Sequence, residues 1–199
     1  CVWRTSDFWA HEQPNLRNSG LDARAVMIVD NTRGADAIIS NNPAVRTVED
    51  LAGRKVALLQ FTPSHGMTID AIDNSSLSAR KKQSVQYVYI NAEEGLAGVR
   101  AALESGNVDA AVLWDPDLSL AIRSAKAHVV YSTRTASNLI FDVMVCDQRV
   151  LDDAQGRDAV RKFVAGWMKG VDAAKADPEK AVDALIENEE FFKLLAKDE

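Results

Sequence analysis

The residues best suited to meet a ligand fall in short polar runs, three of which read as helix starts. In Gln60-Phe61-Thr62-Pro63-Ser64-His65-Gly66, Thr62 has the form of an N-cap and Pro63 that of a first helical residue. The amides of Ser64 and His65 then stand free at the positive end of a helix dipole, an arrangement that suits an anion. A plain helix cap with an exposed His65 satisfies the same residues. In Trp114-Asp115-Pro116, Asp115 takes the capping position and competes with an anion for the amides, or meets an amine group on a solute. Trp114 offers a flat apolar face, although a cap plus a packed aromatic accounts for both residues. Near the start of the chain, Trp3-Arg4-Thr5-Ser6 presents a guanidinium fork for a carboxylate, sulfonate or phosphate, with a surface arginine as the alternative. Asn31 and Thr32 lead into Gly34, which is expected to supply an unusual backbone turn. A further run, Asn91-Ala92-Glu93-Glu94, is acidic and reads as a solvated helix start.

These runs bind rather than catalyse. The three histidines, His11, His65 and His128, have no metal-ligand spacing, and neither a nucleophile elbow nor a phosphate loop occurs. The adjacency of Ser64 and His65 carries little weight, because a catalytic triad is a spatial arrangement. No catalytic residue, metal or cofactor is expected. With 23 basic and 29 acidic residues the net charge is −6, which argues against general nucleic-acid binding. Hydrophobic content of 47% and charged content of 26% are those of an ordinary soluble globular chain, and no apolar run is long enough for a membrane span. Cys1 and Cys146 are expected to be free or buried rather than paired. Cys1 also invites reading as a lipidated N-terminus, but Val2 and Trp3 after it resemble the end of a buried strand rather than a polar tether. Without an initiating methionine or a signal peptide, residues are expected to precede Cys1.

Positioning the polar runs requires a repeated strand-then-loop arrangement, and the sequence supplies it. Short apolar runs at 23–30 and 37–39 read as strands. Thr47 with Asp50 forms a capping box that opens one helical turn, closed by Gly53. From there, strands at 55–59, 85–90, 108–113 and 129–131 alternate with helices at 62–74, 92–104 and 115–125, the pattern of a parallel sheet with helices on its faces. A strand at 139–145 follows. A long helix over 158–174 comes next, then a helix capped by Asp177-Pro178 and a final apolar face at Phe191, Phe192, Leu194 and Leu195.

Four phrases in order carry a resemblance. Gly34–Ile39 (GADAII), Val45–Val56 (VRTVEDLAGRKV), Gly106–Pro116 (GNVDAAVLWDP) and the long helix from Ala159 to Pro178 together resemble the nitrate, sulfonate, taurine and thiamine-precursor group of periplasmic solute-binding proteins of ABC importers. The resemblance covers about residues 22–187. It implies an α/β, two-lobed type II periplasmic-binding fold, with parallel-sheet lobes, helices on both faces and hinge strands. Residues 47–135 would form a complete lobe, and 1–46 with 136–199 an incomplete first lobe. The implied activity is capture of a small anionic or polar solute in an interlobe cleft, followed by delivery to a membrane permease of the ABC type. The implied partners are that solute and the permease, with no nucleic acid, a monomeric state and a periplasmic or envelope location. On this template the ligand residues are Trp3, Arg4, Thr5, Ser6, Asn31, Thr32, Thr62, Ser64, His65, Trp114 and Asp115, with Gly34 and Thr135 at the hinge. An envelope-anchored or sensory module of the same fold is the alternative. A relative that makes the thiamine pyrimidine carries a cysteine-rich motif absent from this chain, which makes such an enzyme the weaker reading.

Overall fold

The computed structural model describes residues 2–4, 12–136, 138–189 and 192–193. These fall into two units, one over residues 2–145 and one from Cys146 onward.

The first unit is built on two sheets. The larger has five strands in the order β5-β4-β6-β3-β7, where β3 is Asp36–Ser40, β4 Lys55–Leu59, β5 Gln86–Ile90, β6 Ala110–Trp114 and β7 His128–Ser132. β4 runs parallel to β5 and β6, as the strand-helix alternation requires. β3 runs antiparallel to both β6 and β7, so the sheet is mixed rather than wholly parallel. β3 precedes residue 47 in the chain yet lies inside this sheet and joins β7 to the rest of it.

Period-two alternation sends side chains to two cores. On one face, Ile38, Val56, Leu58 and Val112 pack with Met67, Ala71 and Ile72 of α2 (Pro63–Asp73), and with Val48 and Leu51 of the 3-10 turn that the Thr47–Asp50 capping box opens. On the other, Ala37, Ile39, Ala57, Ala111 and Leu113 meet Val99 and Leu103 of α4 (Gly95–Glu104), and Leu118 and Ala121 of α5 (Asp117–Ser124). Each fully buried aliphatic side chain contributes roughly 1.5–3 kcal/mol of transfer free energy. Asp109 locks the entry edge of the sheet. Its carboxylate accepts from the Lys55 amide and the Arg54 guanidinium, and its carbonyl accepts from Ser40 Oγ at 2.6 Å. Asp109, the first of the two aspartates in the GNVDAAVLWDP phrase, is therefore a structural tie.

The smaller sheet has the order β1-β8-β2, with β1 at Val2–Arg4, β2 at Ala23–Asn31 and β8 at Phe141–Asp147. β1 pairs antiparallel with β8, with Arg4 opposite Val143. Ala23, Val143 and Val145 form its core, joined by Leu16 of α1 (Glu12–Asn18). A short helix, α3 (Ala79–Lys82), leads into β5.

The second unit is helical: α6 (Gln148–Asp152), α7 (Ala154–Ala176) and α8 (Pro178–Asn188). Asp153 caps α7 through the Gly156 amide, and Asp177 caps α8 through the Lys180 amide. Phe163 and Trp167 stack on one face of α7 at 6.2 Å. Cys146 is disulfide-bonded, which corrects the expectation of free cysteines. Cys1 lies outside the described residues, as do Phe191, Leu194 and Leu195 of the expected terminal face. Among the described residues no helix is long and apolar enough to cross a membrane.

Candidate functional site

A cavity of about 360 Å³ opens where the carboxyl ends of β4 and β6 meet the segments that link the two sheets. The sheet side contributes Pro63 and Ser64 from the start of α2, Trp114 and Asp115 from the end of β6, and Ala35 and Asp36 from the start of β3. Asp30 near the end of β2 and Thr32 just after it, with Ile140 just before β8 and Asp142 within it, complete the lining. All of these residues belong to the first unit.

Ser64 and Asp36 form the wall's buried polar pair. Ser64 is 1% exposed and Asp36 7% exposed. Ser64 Oγ donates to Asp36 Oδ1 at 2.6 Å. Burial pushes the Asp36 carboxyl above the usual carboxylate range, and the negative charges of Asp142 and Asp30 push the same way. Hydrogen bonds from the Ser64 and Thr32 hydroxyls oppose that rise.

Thr62 caps α2 as its sequence indicates, and in doing so it consumes amides. Its Oγ1 accepts from the His65 amide at 3.2 Å and its carbonyl accepts from the Gly66 amide at 3.2 Å. That leaves the Ser64 amide as the one not taken by Thr62. Thr62 and His65 do not line the cavity. His65 turns instead to an aromatic group, edge-on to Phe61, Tyr87 and Tyr89 at 6.4, 6.2 and 5.7 Å. Its Nδ1 accepts from the Phe61 amide at 3.2 Å, which fixes the neutral ring with its proton on Nε2. Burial depresses the His65 pKa.

Asp115 lines the cavity and is also committed to the helix after it. Its Oδ1 accepts from the Ser119 amide at 3.1 Å and from the Ser119 hydroxyl at 2.6 Å. Trp114 lies half-buried beside it. Asn31 does not line the cavity; its side-chain amide donates to Asn138 Oδ1 at 2.7 Å, which ties the end of β2 to the segment before β8. Gly34 adopts φ +108°, open to glycine alone at low cost. Its amide donates to Thr133 Oγ1 at 2.7 Å, and the Thr133 amide donates to the Asp36 carbonyl at 3.0 Å. Thr133, fully buried, thus holds the two linking segments together, whereas Thr135 is exposed in the turn after it. Arg4 and Trp3 are placed by their strand alone, and Thr5 and Ser6 lie outside the described residues.

Asp30, Ala35, Asp36, Ile140 and Asp142 were not singled out as site residues by the sequence, although Asp36 lies within the GADAII phrase. The signal that could have found Asp36 is an aspartate at the head of an apolar strand, followed by residues that fill both cores.

The model of the family described as NMT1/THI5 like matches residues 11–181. The chain belongs to the NMT1/THI5-like family. A putative aliphatic sulfonates-binding protein of Escherichia coli K12 is 33% identical over 93 residues, which is 47% of this chain and 27% of that protein. Among solved structures, the periplasmic aliphatic sulphonate-binding protein SsuA of E. coli is similar with a TM-score of 0.69 and 22% identity, covering 86% of this chain and 56% of that one. The desulfurization enzyme DSZB is similar with a TM-score of 0.59 and 15% identity over 83% of this chain and 60% of its own. The chain spans little more than half the length of these solved relatives. The fold they share with this NMT1/THI5-like chain is that of the periplasmic binding proteins, α/β with helices on both faces of a mixed sheet.

Proposed function

We propose that this chain captures a small polar solute in the Asp36–Ser64 cavity and hands it to an ABC-type permease, acting in the periplasm. The observation that carries the reading is the position of that cavity. It sits beyond the carboxyl ends of parallel strands, at the start of a helix, against the segments linking two sheets, where open α/β sheets take their ligands. The family and the sulfonate-binding relatives support import as the context. Residues 47–135, with β3 added from before them, form one jaw of the grip. Gly34 and the Thr133–Thr135 turn flex as the jaw closes, a hinge motion of the kind that traps solutes.

Binding without turnover is the proposed outcome. The likeness to DSZB bears on the fold alone. The test is a thermal-shift panel of anionic, zwitterionic, cationic and neutral small solutes, with product analysis on every stabilising compound. At least one class should raise the melting temperature unchanged by incubation, and Ala35→Phe, which fills the cavity, should abolish the shift. A stabilising compound that is chemically converted, or whose effect survives Ala35→Phe, contradicts the reading.

A further inference from the structure

We infer that the solute carries a cationic nitrogen, an ammonium or amidinium group, and that Asp36 is the residue that selects it. The inference rests on the cavity being the capture site proposed above. The start of α2 is where an anionic headgroup would be expected, since free amides and the helix dipole favour negative charge there. This chain has already set its own carboxylate at that point. Ser64 Oγ is bonded to Asp36, and Thr62 has taken the His65 and Gly66 amides. An anion brought to Ser64 would therefore meet Asp36 at close range, with the like charges of Asp30 and Asp142 acting on the same place.

A positively charged N–H donor has the opposite relation to the same atoms. It offsets the negative charge that Asp30 and Asp142 add beside Asp36, and it supplies a donor to the Asp36 carboxyl, which burial has stripped of water. Trp114 adds a second feature of the same sense, because the face of an indole attracts a cation. Among the described residues no lysine or arginine lines the cavity. A site with a buried carboxylate discriminates sharply, since a ligand without the matching donor leaves that charge unpaired. Selection of this kind sets the chain apart from a binder of simple aliphatic sulfonates.

Calorimetry with a matched four-carbon series separates the possibilities: n-butylammonium, 4-aminobutane-1-sulfonate and butane-1-sulfonate, each titrated into the 199-residue chain and into Asp36→Asn, Asp30→Asn and Ala35→Phe. Both nitrogen-bearing probes should bind at least about tenfold more tightly than butane-1-sulfonate, and Asp36→Asn should erase the difference. Asp30 is exposed, so Asp30→Asn keeps the fold and should shrink the preference by about threefold even if Asp36→Asn proves unstable. Butane-1-sulfonate binding as tightly as the amines overturns the inference, as does a preference that survives Asp36→Asn, or an absence of binding by both amines. Sulfonate binding that Ala35→Phe abolishes would leave the capture site standing while removing the cation. Binding of every probe untouched by Ala35→Phe would remove the capture site itself.

Discussion

Ser64 on the first turn of α2 donates its hydroxyl proton to Asp36 at the head of β3, 28 residues earlier in the chain, across 2.6 Å in a buried wall. The bond ties the helix that opens the cavity to the antiparallel strand beneath it. Burial of the Asp36 carboxyl makes it a pH-sensitive element of the fold, against the opposing pull of the Ser64 bond. The group's folded pKa lies above its unfolded value of about 3.9, so the native state holds the proton more tightly than the unfolded chain. The associated stability is fully present below the unfolded pKa and is lost as pH rises through the folded pKa. Urea unfolding of wild type and Asp36→Asn across about pH 3 to 7 should give a wild-type-minus-variant stability difference that falls with rising pH. A difference that grows with pH would mean that Asp36 is stabilised as the carboxylate.

Asp115 is expected to matter to α5 whatever it does for a solute. Its carboxylate holds the Ser119 amide and hydroxyl, while Pro116 offers no side-chain cap. Asp115→Ala should cost about 1 kcal/mol in chemical denaturation, and Asp115→Asn clearly less. Equal losses in the two would place the effect outside the cap.

Phe61 should be easy to improve upon. It holds φ at +59°, a left-handed conformation that costs a side-chain-bearing residue about 1–2 kcal/mol, and it is 71% exposed. Asparagine tolerates that conformation, and in exchange the variant gives up the edge-on packing of the Phe61 ring against His65. Phe61→Asn should therefore raise stability by about 0.5–1 kcal/mol, read as a shift of the thermal midpoint upward. A lower midpoint would show that the Phe61 ring is held by more than His65.

Gly98 lies inside α4, where alanine would ordinarily stabilise by about 1 kcal/mol. Here a Cβ would fall 2.9 Å from Ile90 Cγ2 of β5 and 2.7 Å from Glu94 Cβ. The overpacking cost of about 1–3 kcal/mol exceeds the propensity gain, so Gly98→Ala should be destabilising in urea. A stabilised variant would mean that α4 can lift from β5 without penalty.

Much of the frame could be read from local signals, because those signals are strong and short-ranged. Thr62-Pro63, Thr47 with Asp50, and Asp177-Pro178 each announce a helix start, and each opens one. The apolar runs of β4 and β6 alternate between two cores as strands covered on both faces must. What failed to show depends on long-range pairing. Nothing in the DAII run reveals that β3 enters antiparallel between β6 and β7. α1 carries Pro14, Asn15 and Asn18 around a single Leu16, too weak a pattern to mark a helix from composition. His65 is expected at the site for its free amide at the helix start, but Thr62 Oγ1 takes that amide and the ring packs edge-on to Tyr87 and Tyr89. The pairing of Cys146 likewise had no local signature.

The most direct measurement is amide and indole NMR mapping of the chain titrated with 4-aminobutane-1-sulfonate. Resonances of Thr32, Ala35, Asp36 and Ser64 and the Trp114 indole should move together and saturate with one affinity. Saturating shifts confined to residues away from this cavity, with the resonances of these residues unmoved, would contradict the account.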